Sequence, residues 1–207
     1  MKSEINLELF FKEISKKIKA AVKHDFPIMQ KNFENETPYA VVFETDSDCV
    51  TLSLVVNTYE ALKAKDDEYA KKGYGGTKWF PNEWRYWPDY KQGCEIYKIA
   101  DELSEMTNSI WDEVRKQTPD MTYEEREALC EEYKFTELFF ETVTSAFLEL
   151  IRSDVFGLNP DEITYFISMS DDNRVEEIEN NSAKVLNTEK VYEAFSKRFD
   201  HLNRSGG

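Results

Sequence analysis

Nucleophilic or metal chemistry needs clustered His, Cys or carboxylate side chains, and this chain offers few clusters. Its two histidines, His24 and His201, each stand near the end of an expected helix. Neither has a HExxH spacing, a nearby cysteine or a second histidine, so the spacing gives no zinc site. A Ser–His–Asp or Cys–His arrangement needs a histidine held by a partner, and none is in view. Cys94 follows Gly93 at an expected helix start, where the dipole could lower a thiol pKa. No activating group accompanies it, and a buried, inert thiol is expected. Gly73-x-Gly75-Gly76-Thr77-Lys78 has the glycines and cation of a phosphate loop without the GxxxxGK[ST] spacing. Asp46-Ser47-Asp48 and Asp171-Asp172-Asn173 lack the glycine and distal glutamate of a calcium loop and read as turns. Glu124-Glu125 and Glu131-Glu132 lie on an expected exposed helix, with nothing to desolvate and raise a carboxyl. The expectation is no catalytic residue, no metal ligand and no cofactor.

What remains is aromatic. Residues 73–90 read GYGGTKWFPNEWRYWPDY and hold three of the four tryptophans. Lys78-Trp79-Phe80-Pro81-Asn82-Glu83-Trp84 packs cation, rings and acid into one short run. Trp and Tyr give large contact area at low entropic cost and are common in binding hot spots. Trp79, Glu83, Trp84, Trp87 and Tyr90 are therefore the candidate binding residues. The other reading is structural, with Pro81 and Pro88 stiffening the backbone so that the rings close one end of a sheet. Trp84 is expected to pack inward; for Trp79 and Trp87 core and contact surface stay open.

The elements that would position this run follow from periodicity. Phe10, Ile14, Ile18 and Val22 make one face of an opening helix, expected to end before Pro27. PYAVVFETD (38–46) and CVTLSLVVNT (49–58) read as two strands of a hairpin joined by an Asp/Ser turn. Thr58 can cap a helix through about Lys72. Ile96, Ile99, Leu103, Met106, Ile110 and Val114 keep helical spacing for five turns. Thr122 with Glu125 forms a capping box for a helix over 123–134. Phe139, Val143, Phe147, Leu150 and Ile151 share one face of the run 138–151. ITYFISMSD (163–171) is a further strand, followed by a polar loop of about fifteen residues. A closing helix begins after Thr188 and carries Val191, Phe195 and Phe199. This order predicts an α+β fold, with a small, mainly antiparallel sheet covered by several helices. Residues 1–204 are expected to form one domain and 205–207 a flexible tail.

The net charge is −15, and residues 101–162 hold 17 Asp and Glu against 5 Lys and Arg. The first 36 residues hold 6 acids and 7 bases. Acid this concentrated repels phosphate backbones and anionic membranes and attracts basic proteins. A solvated helical face that aids solubility is the other reading. Three widely spaced cysteines, Cys49, Cys94 and Cys130, fit reduced thiols in a cytoplasmic protein. The amphipathic N-terminus lacks the apolar core of a signal peptide.

YAVVFETD, then VVNT leading into a helix, then KWFPNEWRY and the closing YFISMSD strand together resemble an uncharacterised bacterial family, a domain of unknown function. The likeness spans about residues 5–200, and Trp79, Pro81, Glu83 and Trp84 carry its more specific part. Such families resemble small cytoplasmic proteins encoded beside secreted toxins, where they serve as immunity proteins. The resemblance implies no catalytic residue. The function expected is recognition of a protein partner, with neutralisation of a basic toxin through the acidic surface as its sharper form. The alternative is a small-molecule-binding protein or enzyme using the aromatic segment 79–90. The oligomeric state stays open.

Overall fold

The opening helix shows how the core overrides local rules in this chain. In the computed structural model, which describes residues 5–72 and 76–200, α1 spans Leu7–Gln30. The Asn6 side chain caps it, accepting from the Leu9 N–H at 3.0 Å. The helix runs through Pro27 instead of ending before it. Pro27 lies in the last turn, where its ring removes the N–H that would bond the carbonyl four residues back. Phe26 and Met29 on either side are buried, as is Phe33 in the 3-10 turn that follows. That burial outweighs the proline. Gly73–Gly75 of the glycine run, His201 and the 205–207 tail lie outside the described residues.

β1 (Pro38–Thr45) pairs antiparallel with β2 (Ser53–Thr58), and β3 (Thr164–Met169) adds to the other side of β1 in parallel. The hairpin is present and the small sheet is mixed, in the order β2-β1-β3. The link between β1 and β2 is longer than a tight turn, because Asp46 and Thr51 fold it on themselves. Asp46 Oδ1 accepts from the Val50 N–H at 2.9 Å, and the Thr51 carbonyl accepts from Thr45 Oγ1 at 2.7 Å. All three strands are buried almost throughout, because both faces of the sheet are covered.

One face presents Val41, Phe43, Leu54, Val56, Tyr165 and Ile167 to the larger core, which α1, α3 (Lys98–Gln117) and α5 (Phe135–Arg152) complete. The other face presents Ala40, Val42, Val55 and Phe166. An irregularity in the pairing between Pro38 and Ala40 brings Tyr39 to this same side. Here the cover is α7 (Glu189–Ser196), the aromatic segment and α6 (Val175–Leu186). The architecture is thus α+β, with a small sheet between helical layers.

Residues 175–186 correct the expectation of a polar loop. They form α6, whose inward face uses Glu179, Ser182, Ala183 and Leu186. Polar side chains there are buried because they have partners. Ser182 Oγ accepts from the Ile167 N–H at 2.9 Å, and the Asn187 side chain bonds both the N–H and the C=O of Tyr165. The helix therefore extends the hydrogen bonding of β3 along its free edge. Thr188 stands at the N-cap of α7, but its hydroxyl makes no capping bond.

Candidate functional site

The aromatic segment leaves α2 (Tyr59–Lys71), which Thr58 caps by accepting from the Ala61 N–H at 3.0 Å. Asp66 of this helix takes hold of the start of the segment, accepting from the Thr77 N–H at 2.8 Å and from Thr77 Oγ1 at 3.1 Å. Lys78 then lies over three rings, its Nζ 4.8 Å from the Trp79 centroid, 5.5 Å from Tyr39 and 5.8 Å from Tyr59. Each such contact favours the ammonium, while burial pulls its pKa below the usual lysine value. Trp79 is half-buried, meeting Tyr39, Phe166 and Phe195 edge-on.

Pro81 opens a single 3-10 turn, Pro81–Glu83. It aims Glu83 back at α2, where Lys65 Nζ lies 2.9 Å away and the Tyr69 hydroxyl donates at 2.5 Å. These partners hold the Glu83 carboxyl below the ordinary range. Trp84 packs inward at 5% exposure, against Tyr39 and Phe166. Tyr86 then runs beside β2, where its carbonyl accepts from the Val56 N–H at 2.9 Å. The segment thereby caps an edge that would otherwise expose unpaired backbone groups. Trp87 is half-buried and donates from Nε1 to the Trp84 carbonyl at 3.1 Å. Tyr90 is 70% exposed and Phe80 51%.

Of the sequence candidates, Trp79 and Trp84 meet in the smaller core, with Trp87 packed against it. Glu83 faces α2, and Tyr90 stands apart on the surface. The exit is fixed from below by Asp25 of α1, fully buried. Its carboxylate accepts from the Glu95 N–H at 2.8 Å and the Ile96 N–H at 2.8 Å, and His24 Nδ1 lies 2.8 Å from Oδ1. Gly93 makes the turn before it with a φ of 86°, open to glycine without strain. Cys94 is buried and its thiol pKa is pushed up, as Cys49 is pushed up to about 12.

Pattern reading passed over the buried polar groups. Tyr39 donates to the Lys78 carbonyl at 2.8 Å and accepts from Asn57 Nδ2 at 3.0 Å. Glu179 and Arg198 form an ion pair at 2.7 Å with side chains 5% and 1% exposed, and Ser168 donates to the same carboxylate at 2.7 Å. Glu44, next to Ser168 across the β1–β3 pairing, is 8% exposed. Burial raises its carboxyl from 4.5 to about 7. A glutamate inside a strand, two residues before an Asp-Ser-Asp turn, was the one available signal. Among the described residues no group of His, Cys, Asp and Glu could hold a metal ion.

The acidic surface has its own geometry. α4 (Tyr123–Glu131) has no buried residue and rests on α3. Its capping box is complete: Thr122 Oγ1 accepts from the Glu125 N–H at 3.3 Å and Glu125 accepts from the Thr122 N–H at 2.8 Å. Arg126 spends its guanidinium on the carbonyls of Thr118 and Pro119. Arg115 lies over Trp111 and pairs with Asp112. Glu124, Glu127, Glu131 and Glu132 are exposed and form no ion pair among the described residues. Amid these acids Tyr123 is 60% and Met121 41% exposed, and Tyr123 stacks on half-buried Trp111 at 5.3 Å and 19°.

The fold and these surfaces define an α+β protein with a caged aromatic edge and an acidic helix that has no buried residue. The chain belongs to the family described as Domain of unknown function (DUF4303), whose model matches residues 18–188. The match begins inside α1 and stops at the N-cap of α7, so Phe195 and Arg198 lie beyond it. Neither the curated proteins nor the solved structures give a match. Among the described residues no helix is long and apolar enough to cross a membrane.

Proposed function

We propose that the chain is a protein-binding module that docks a basic polypeptide on the α3–α4 face, in the manner of an immunity protein holding a basic toxin. The observation that supports this is the pairing, on one helix, of unpaired carboxylates with exposed aromatic surface. Tyr123 and Met121, backed by Trp111, offer apolar contact at the centre. Asp120, Glu124 and Glu127 lie nearby in the chain and form no ion pair among the described residues, while Arg115 and Arg126 are engaged elsewhere. Aromatic anchors supply affinity, and like-signed charge around them steers a partner of opposite sign.

The test is co-purification with the polypeptide encoded beside this chain, using the wild type and Glu124→Lys/Glu127→Lys. The reading expects a stoichiometric complex that the double variant loses. A missing complex, or one indifferent to the charge reversal, overturns it.

A further inference from the structure

A cavity of about 370 Å³ lies between α1 and the end of α5, lined by Lys19, Lys23, Glu149, Leu150, Arg152 and Ser153. Lys19 and Lys23 are one turn apart on α1, so they stand on the same side of that helix. Arg152 is the last residue of α5 and comes to the cavity from the other helix. Three cations therefore share this space with a single carboxylate, and Glu149 is already engaged by Lys19 at 2.5 Å. Lys23 and Arg152 are exposed and form no ion pair among the described residues, although acids outnumber bases in the chain by 41 to 26. Like charges gathered in one place repel unless an anion stands between them.

Lysine and arginine carry only donors, so what fills the cavity must be rich in acceptors. Ser153 adds no donor, since its Oγ gives its hydrogen to the Glu149 carbonyl at 2.6 Å. The C-terminal end of a helix repels anions through its free carbonyls. Here the carbonyls of Glu149 and Leu150 accept from the N–H groups of Ser153 at 3.0 Å and Val155 at 3.1 Å, which weakens that repulsion. A carboxylate brings one charge to a cavity whose three cations exceed its one acid by two. A phosphate monoester brings about two near neutral pH, with three oxygens for three cations. The volume stands at the lower end of the roughly 300–1,000 Å³ typical of small-molecule pockets, which fits a phosphate with a short organic group. The net charge of −15 turns away extended polyanions. With a Debye length of about 10 Å in 0.1 M salt, a small ligand feels mainly the cations beside it.

We infer that this cavity binds a small phosphate monoester, whose oxygens accept from Lys23, Arg152 and Lys19. The inference is independent of the docking face on α4, which lies on other elements. Inorganic phosphate and glycerol phosphate are the probes, titrated into ¹⁵N-labelled full-length protein while the backbone amides of Lys23 and Ser153 are followed. Acetate at matched ionic strength is the control. At least one phosphate shifts these amides in a saturable way, and acetate does not. Lys23→Ala and Arg152→Ala each weaken that probe by about fivefold or more. Glu149→Gln tightens it, because it frees Lys19 and removes the one acid in the cavity. Lys63→Ala, which takes the same charge from an exposed position on α2, leaves the affinity unchanged. If neither phosphate shifts the two amides saturably at millimolar concentration, the inference fails. It fails equally if acetate shifts them as far, if Glu149→Gln weakens binding, or if Lys63→Ala weakens it as much as Lys23→Ala.

Discussion

Trp84 joins two roles that its neighbours keep separate. Its ring fills the space between Tyr39 and Phe166, and its indole N–H has no acceptor. Trp84→Ala should lower stability by about 3–5 kcal/mol, read by chemical denaturation, because a large cavity opens in the smaller core. Trp84→Phe should cost much less, since it keeps a ring and removes an unsatisfied donor. Glu44 makes a prediction in pH. Its carboxyl is raised in the folded chain from 4.5 to about 7 by burial. Between those values the folded state holds a proton that the unfolded state has released, so stability falls as pH rises through that window and levels off above it. Glu44→Gln should flatten that slope and be more stable than wild type at pH 8 by on the order of 2 kcal/mol. A wild-type stability that rises from pH 5 to pH 7 while the variant's does not would contradict this.

At the scale of elements, the chain is held by polar clamps between pieces distant in sequence. Asp25 ties α1 to the turn before α3, and Glu179–Arg198 ties the end of the described chain to α6. Breaking the second clamp leaves a buried, unpaired charge. Arg198→Ala should cost about 3–5 kcal/mol, whereas replacing both partners by apolar residues should cost far less. A double-mutant cycle on urea midpoints measures this. The same clamps explain what could be read from the sequence. α3 and α5 were legible because Ile99, Leu103, Ile110 and Val114, or Phe139, Val143 and Phe147, recur at helical spacing. The α4 boundary was legible because Thr122 and Glu125 form a local motif that needs no tertiary partner. α6 was not, because its buried face is Glu179, Ser182 and Ala183, whose burial depends on β3 and Arg198. The path of α1 through Pro27 was hidden for the same reason, since Phe26, Met29 and Phe33 find their partners far along the chain. In the aromatic segment the inward turn of Trp84 was legible from its surroundings. The unpartnered Asn57 Oδ1 and Trp84 Nε1 were not, since β2 and the aromatic segment meet only in the folded chain.

The whole molecule is polarised. Acid accumulates on α3 and α4, while α1 carries more lysine than acid and uses Lys17 and Lys19 to pair with Glu102 of α3 and Glu149 of α5. α4, which has no buried residue, thus carries exposed carboxylates that form no ion pair among the described residues. Substitutions there should be nearly silent in stability. Glu124→Lys/Glu127→Lys is expected to lower the unfolding free energy by no more than about 1 kcal/mol, because both side chains are exposed and form no ion pair among the described residues and only Glu124, in the first turn of α4, gives up a favourable interaction with the helix dipole. Their effect belongs to association. The most direct measurement is the stopped-flow association rate with the polypeptide encoded beside this chain, taken from low to high salt for the wild type and this double variant. Docking through the acidic face predicts a rate that falls steeply as salt rises, and a double variant slower by about tenfold or more at low salt. A rate indifferent to salt and unchanged by the charge reversal would contradict it.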